Sequence, residues 1–415
     1  MKKTYWAGFL SGVLCTMLLA FIGINVYQFR VNHAISQMTE EEGVSTQEVD
    51  TDSSKISTLS VLAKVTLLQK YIDTYYLNEI HGKELEDGIY KGIVEGLSDP
   101  YSVYYTKKEY DSLQESTTGV YYGIGARVSQ DMDTGIITIV QPFEGGPAEQ
   151  VGILPQDILY KIEGEEVTGE DLTSVVAKMK GEKGTKVTLT IIRDGKELEV
   201  SVTRNEIEVP TVSYKMLSNQ IGYIQVTEFD EVTAKQYRAA LEDLEKQGET
   251  ALIVDLRNNG GGRLTAVVDM LDRMLPAGVI VSTKDKEGKG ETYKSTDEEQ
   301  FTKPLAVLIN GNSASASEVF SGAIQDYGIG KLIGTTSFGK GIVQTIFGLN
   351  DGTAIKLTTS EYFTPKGRNI HGKGLTPDIE VELRDDLKKK ITIPVEDDNQ
   401  LQAAITELIK EQNKK

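Results

Sequence analysis

The sequence predicts a multidomain α+β protein, with an α/β core in its C-terminal half, a separable strand-rich module before it and helices at both ends. Three observations predict this. The chain has 415 residues, more than one ordinary core accommodates. From about residue 207 onward, apolar strand runs alternate with amphipathic helical segments, the pattern of an α/β core. Between residues 115 and 204, short strand patterns are punctuated by glycine-bearing turns.

Composition narrows the function classes. The chain carries 44 basic and 62 acidic residues, a formal charge of −18, so no basic stripe is available to meet nucleic-acid phosphates. Its one cysteine, Cys15, rules out an intramolecular disulfide framework. There are three histidines, His33, His81 and His371, with no HExxH and no Cys/His cluster. No metal and no cofactor is expected.

The first segment, residues 1–31, reads as a short stub and a membrane anchor. Lys2 and Lys3 precede an uncharged run from Thr4 to Gln28, long enough to span a bilayer as a helix. No small-x-small cleavage site follows it. The residues before Cys15 do not form a lipoprotein box. The lysines and the acidic stretch after the span place the N-terminus inside and the bulk of the chain outside. Residues 32–57, with Glu40-Glu41-Glu42 and a Ser/Thr/Asp-rich tail, read as a flexible linker. Residues 58–114 form a helical region: Leu59, Leu62, Val65, Leu68, Ile72 and Tyr75 recur at helical spacing. Asp99-Pro100-Tyr101-Ser102 then breaks the chain.

In the module at residues 115–204, Tyr121-Tyr122-Gly123-Ile124-Gly125-Ala126 is a glycine-bearing loop running into a strand. A strand from Ile136 to Val140 follows, then Gly145-Gly146-Pro147-Ala148, a helix-like segment at Asp171–Met179, and two strands joined by an Asp194-Gly195 hairpin turn. This order resembles a PDZ domain. The resemblance implies that Tyr122, Gly123, Ile124 and Gly125 wrap a peptide's terminal carboxylate with backbone N–H groups. The peptide would then add as a strand to the neighbouring sheet edge.

The core, residues 205–385, holds two stretches with chemistry. The apolar run Leu305–Ile309 leads through Asn310-Gly311-Asn312-Ser313-Ala314-Ser315-Ala316-Ser317-Glu318 into a helix-period segment. Unpaired N–H groups at such a helix entrance can stabilise an oxyanion, and the same serines can equally serve as caps. The second stretch is Ser337-Phe338-Gly339-Lys340-Gly341-Ile342-Val343-Gln344. A neutral lysine there can act as a general base toward a serine. The run Gly334-Thr335-Thr336-Ser337-Phe338-Gly339-Lys340 satisfies most of a phosphate-loop pattern. It fails where Gly341 replaces the magnesium-binding Ser or Thr. The glycine run Asn259-Gly260-Gly261-Gly262 after a buried strand is either an anion-binding nest or a plain turn.

Together, the anchor, the PDZ-like module and the two core stretches resemble the carboxyl-terminal processing proteases, the tail-specific serine peptidases of family S41. The resemblance implies a ClpP/crotonase-like α/β protease core with an inserted, β-barrel-like PDZ domain and terminal helices. By motif it implies Ser315 as nucleophile, Lys340 as general base and Gln344 as the residue orienting the lysine. The oxyanion hole is implied at the N–H of Ala316 with one from Gly261. Asp326 matches a position important in the family, with a structural role near the site. Ser313 and Ser317 are expected to be neighbours in the turn rather than nucleophiles. The implied substrates are proteins or peptides with free C-termini, on the outer side of a bacterial membrane. Residues 386–415 read as a helical segment, with Leu401, Ala404, Ile405 and Leu408 at helical spacing, and the resemblance, in which terminal helices build a dimer, implies a homodimer. Two other readings compete: a catalytically silent PDZ adaptor, and a Ser–His hydrolase using His371.

Overall fold

A computed structural model describes residues 56–296, 300–388, 390 and 393–414. The expected anchor at Thr4–Gln28 and nearly all of the linker lie outside the described residues. No helix among the described residues is long and apolar enough to cross a membrane.

The chain divides into two compact units, Met1–Glu86 and Asp87–Lys415. In the first, helix α1 (Thr58–Tyr75) buries none of its residues, and Leu59, Leu62, Leu68 and Tyr71 stand exposed. Helix α2 (Gly82–Glu95) straddles the division. The second unit begins with strand β1 (Val103–Tyr105) and helix α3 (Lys107–Thr118). A reciprocal capping box between Thr106 and Glu109 starts α3, and left-handed Gly119 ends it.

The strand-rich module opens on β2 (Val120–Gly123) and closes on β9 (Asn205–Glu208), which pair antiparallel as its stalk. Between them lie β3 (Ala126–Gln130), β4 (Ile137–Pro142), the single turn α4 (Pro147–Gln150), β5 (Ile158–Ile162) and β6 (Glu165–Glu166). Helix α5 (Leu172–Met179), β7 (Lys186–Arg193) and β8 (Lys196–Thr203) complete it. The sheet runs β3-β4-β5-β7-β8, so β3 is an edge strand. Ile137, Ile139, Leu159, Val187 and Leu189 alternate into a core closed by Val175 and Met179 of α5.

The core is built on a six-stranded sheet in the order β10 (Val212–Leu217), β11 (Ile221–Val226), β12 (Ala251–Asp255), β15 (Leu305–Ile309), β16 (Lys331–Gly334), β19 (Ile379–Glu380). Its strands from β11 to β19 are parallel, and β10 is antiparallel. Both faces are covered, as fully buried runs such as Ala251–Asp255 and Leu305–Ile309 require. On one face Leu252, Val254, Val307 and Ile309 pack on α6 (Thr233–Lys246), α7 (Leu264–Asp272) and α8 (Ala316–Tyr327). On the other, Ile253, Ala306, Leu308 and Ile333 pack on Leu401, Ala404 and Leu408 of α9 (Asn399–Gln412). The apolar stripe of the last helix is therefore spent on its own chain.

A second, antiparallel sheet joins β1, β13 (Gly278–Asp285), β14 (Thr292–Ser295), β17 (Ile342–Gly348) and β18 (Ala354–Phe363). Strand β18 lies between β1 and β13 and also pairs with β17.

Candidate active site

Three loops leave the carboxyl ends of adjacent parallel strands: residues 256–263 after β12, 310–315 after β15 and 335–341 after β16. Open α/β sheets bind ligands at such an edge. Hydrogen bonds stitch the first two loops together. The Ser313 hydroxyl donates to the Leu256 carbonyl (2.8 Å) and the Ser317 hydroxyl to the Asn259 carbonyl (2.9 Å). The Ala314 amide donates to the same Asn259 carbonyl (3.0 Å). The Asn310 side chain donates to Asn258 Oδ1 (2.9 Å), and its own Oδ1 accepts the Asn258 amide (3.0 Å).

These bonds separate the three serines. Ser313 and Ser317 are fully buried and engaged with backbone carbonyls, while Ser315 is half-buried on the wall of a cavity of about 390 Å³. Ser315 holds φ 54° and ψ −113°, a conformation rare for a residue with a Cβ. It stands at the entrance of α8, where the Ala316 N–H has no partner within the helix.

Lys340, Gln344 and Ala316 line the same cavity. Lys340 precedes β17, and Gln344 sits at a bulge in that strand, opposite Thr358 of β18. The Gln344 amide donates weakly to the Thr358 hydroxyl (3.4 Å). Lys340 Nζ lies 4.7 Å from the ring centroid of Tyr101. Among the described residues, no hydrogen bond joins Lys340 Nζ to Ser315 or Gln344. Burial pushes the Lys340 ammonium below its ordinary pKa, and the nearby charge of Lys356 pushes the same way; Asp99 and Glu318 oppose the shift.

One carboxylate fastens both motifs. Glu318, fully buried in the first turn of α8, accepts the Ser315 N–H (2.9 Å) and the Lys340 N–H (2.8 Å) on Oε2. Its Oε1 accepts the Ser337 hydroxyl (2.6 Å) and the Gly339 N–H (2.7 Å). The N–H groups that in a phosphate loop would cradle an anion are thus occupied by an internal one. The Tyr362 hydroxyl donates to the Ser315 carbonyl (3.2 Å).

Gly261 is packed against the Ser315 turn. Its φ is +102°, and a Cβ there would stand 2.7 Å from the Ala314 carbonyl oxygen and 2.8 Å from Ser315 Cβ. Its N–H donates to Asn259 Oδ1 (2.8 Å), while Gly260 and Gly262 face the cavity. Asp326 lies on α8 outside the cavity wall; it accepts the Lys366 N–H (2.8 Å) and pairs with Arg368 (2.6 Å). His371 is exposed and does not line the cavity. Among the described residues, no group of three or more His, Cys, Asp or Glu could hold a metal.

In the strand-rich module, β2 runs through Tyr122 and Gly123, leaving Ile124 and Gly125 (φ +72°) as the turn into β3. Tyr122 is exposed and its carbonyl accepts the Gly181 N–H (3.2 Å), while Ile124 is buried. The turn therefore leads directly into β3, the edge strand of the module's sheet.

The residues that sequence reasoning left without a role are Glu318, Lys356, Tyr362 and the Asp99–Tyr105 segment. The Ser315-x-x-Glu318 spacing is a capping-box signature that could have pointed to Glu318. The others come from strand pairing across the sheet, which carries no local signal.

The description Peptidase family S41 matches residues 220–381, PDZ domain matches 122–203, and Activating protease CtpB N-terminal domain matches 20–109. The chain is 38% identical over 324 residues to the carboxy-terminal processing protease CtpA of Bacillus subtilis (strain 168), covering 78% of this chain and 69% of that one. It is 33% identical over 378 residues to a protein named "Probable CtpA-like serine protease" of Staphylococcus aureus (strain COL), covering 90% and 72%. The photosystem II D1 C-terminal processing protease covers 77% of this chain and 86% of its own at 26% identity, with a TM-score of 0.46. The chain belongs to peptidase family S41 and is a serine-type peptidase of the carboxy-terminal processing group, bearing a PDZ domain.

Proposed function

We propose that this peptidase cleaves with a Ser315–Lys340 dyad and takes its substrates by their free C-termini. The observation that carries this reading is the convergence of Ser315 and Lys340 on one cavity, their backbones held by the single buried carboxylate of Glu318. Ser315 Oγ attacks the scissile carbonyl carbon. The carbonyl π pair moves onto oxygen, and neutral Lys340 takes the hydroxyl proton. The departing amine recovers that proton, and water then hydrolyses the acyl-enzyme with Lys340 again as base. The developing oxyanion meets the Ala316 N–H. The second donor comes from the glycine run; an N–H of Gly261 serves only if it leaves Asn259. Turnover requires Lys340 Nζ to swing from the Tyr101 face toward Ser315 across the cavity that both line, as the loose geometry of unliganded sites allows. Gln344 then orients the amine, and Asp326 acts only by holding the end of α8 to the Lys366–Arg368 loop.

The PDZ domain captures an apolar C-terminus at the Tyr122–Gly125 turn, the peptide adding to the β3 edge. Helix α3 runs between the two sites: Glu115 pairs with Lys180 beside α5 (2.7 Å), while Leu113 and Thr117 line the cavity. The N-terminal run anchors the enzyme in a bacterial cell membrane with its catalytic part outside. Since α9 is docked on its own sheet, a homodimer would use the exposed apolar residues of α1.

The test uses the full-length wild type, Ser315→Ala, Lys340→Ala and His371→Ala, each incubated with casein and followed by mass spectrometry of released peptides. Wild type and His371→Ala are expected to cleave and the other two to lose activity by at least about a hundredfold with unchanged circular dichroism. Substantial turnover by Lys340→Ala would exclude the dyad, and loss in His371→Ala would favour a histidine base.

A further inference from the structure

The candidate site holds a second lysine. Lys356 lies on β18, opposite Ile346 of β17 and Val103 of β1. Ile346 stands two residues past Gln344 on the same strand, and both line the cavity with Lys356. Lys356 is half-buried, with Nζ 5.4 Å from the ring centroid of Tyr105. The two lysines are thus seated on two tyrosines from one segment, Lys340 over Tyr101 and Lys356 over Tyr105. Among the described residues, neither ammonium is in a salt bridge. Two like charges on one cavity wall, without a paired carboxylate, disfavour each other's protonation.

The surrounding charged groups leave this effect in place. Glu318 on α8 and Asp99 favour the charged form of Lys340, but burial and Lys356 outweigh them. Asp99, before β1, accepts the Ser102 hydroxyl (2.6 Å) and the Tyr101 N–H (3.0 Å), and His371 acts on it from the loop beyond β18. Across the cavity stand Glu228 and Asp230 after β11 and Arg263 before α7; burial, reinforced by Glu228, pushes the Asp230 carboxyl up to about 6. The Tyr362 phenol is pushed up by burial and by Glu318, so it stays neutral.

We propose that Lys356 is a positioning residue for the peptidase reaction, its ammonium on the cavity wall disfavouring a second positive charge on Lys340. This rests on the Ser315–Lys340 reading. Lys356 touches no reacting atom and acts only through the base. It adds to the effect of burial in keeping Lys340 able to take the Ser315 proton without a histidine in the site.

The experiment measures pH profiles of casein cleavage, and of Ser315 labelling by a fluorophosphonate, for the full-length wild type, Lys356→Met, Lys356→Arg and Lys340→Ala. Lys356→Met keeps the apolar stem and removes the charge. Its acid limb is expected at higher pH, with rates at neutral pH down roughly 3- to 10-fold and recovered on the alkaline plateau. Lys356→Arg, which keeps the charge, is expected to follow wild type. A Lys356→Met profile that superimposes on wild type, or an equal pH-independent loss in both Lys356 variants, overturns the inference while an inactive Lys340→Ala leaves the dyad standing. An active Lys340→Ala overturns both.

Discussion

At the scale of single residues, the site depends on a side chain that contacts no substrate. Glu318 is a fully buried acceptor for four donors drawn from both motifs. Substituting glutamine preserves its shape but replaces one acceptor oxygen with a donor. Whichever way the amide turns, at least one backbone N–H then faces another N–H, at about 1–3 kcal/mol for each unmatched group. Glu318→Gln is therefore expected to lower the melting temperature by several degrees and to cut casein cleavage by about a hundredfold or more, because small displacements of paired catalytic groups are costly. Melting curves and peptide release, measured on the same preparation, check both parts. Full activity with lowered stability would make Glu318 a packing residue only. The same loop logic explains why the Gly334–Lys340 run resembles a phosphate loop without serving as one, since its N–H groups hold Glu318.

At the scale of elements, local patterns and long-range pairings were not equally legible in the sequence. The buried runs Ala251–Asp255 and Leu305–Ile309, the amphipathic α6 and α8, and the hairpin at Asp194-Gly195 all follow from periodicity and turn chemistry within a few residues. Ser315 and Lys340 each lie in a compact motif that the sequence shows, and both line one cavity. The Asp99–Tyr105 segment read only as a chain break. Its role depends on β1 pairing with β18 more than 250 positions later, with Val103 opposite Lys356, and no local signal encodes that register. The stripe of α9 was visible, but which surface it covers was not, because an apolar stripe fits a subunit interface and an intramolecular sheet equally well. The PDZ domain supplies a prediction at this scale. The β3 edge and the turn after Gly123 should take peptides with a free terminal carboxylate, and C-terminal amidation should weaken binding at least about tenfold, as loss of charge-assisted hydrogen bonds implies. Calorimetric titration of the full chain with an apolar peptide and its amide tests this; equal affinities would move recognition away from the turn.

At the scale of the whole molecule, the last helix is tied to the active-site edge of the sheet by a buried charge cluster. Arg257, in the loop after β12, donates to Asp255 from Nε (2.9 Å) and Nη2 (2.6 Å), and to Asp398 from Nη1 (3.0 Å) and Nη2 (2.8 Å). Asp398 in turn caps α9, accepting the Gln400 (3.1 Å) and Leu401 (3.0 Å) N–H groups. The Tyr223 hydroxyl also donates to Asp255 (2.8 Å). The glycine run beside Ser315 begins three residues after Arg257, so the docking of α9 and the shape of that loop share one anchor. Burial works to raise the Asp398 pKa, but the Arg257 guanidinium and the capping N–H groups prevail and hold it below its ordinary value. A carboxylate so depressed contributes stability above its unfolded-state pKa, and that contribution fades as pH falls through the lower folded value. Arg257→Met leaves Asp255 and Asp398 buried without their cation, a change that typically costs about 3–5 kcal/mol. Its melting temperature should fall well below wild type at neutral pH, and the gap should narrow as the pH is lowered below the ordinary carboxylate range, where protonation of Asp398 costs the wild type the same pairing. Because the cluster also braces the loop, casein cleavage should fall at temperatures where the fold is intact. A variant that melts early yet cleaves normally below its transition would confine the cluster to anchoring α9.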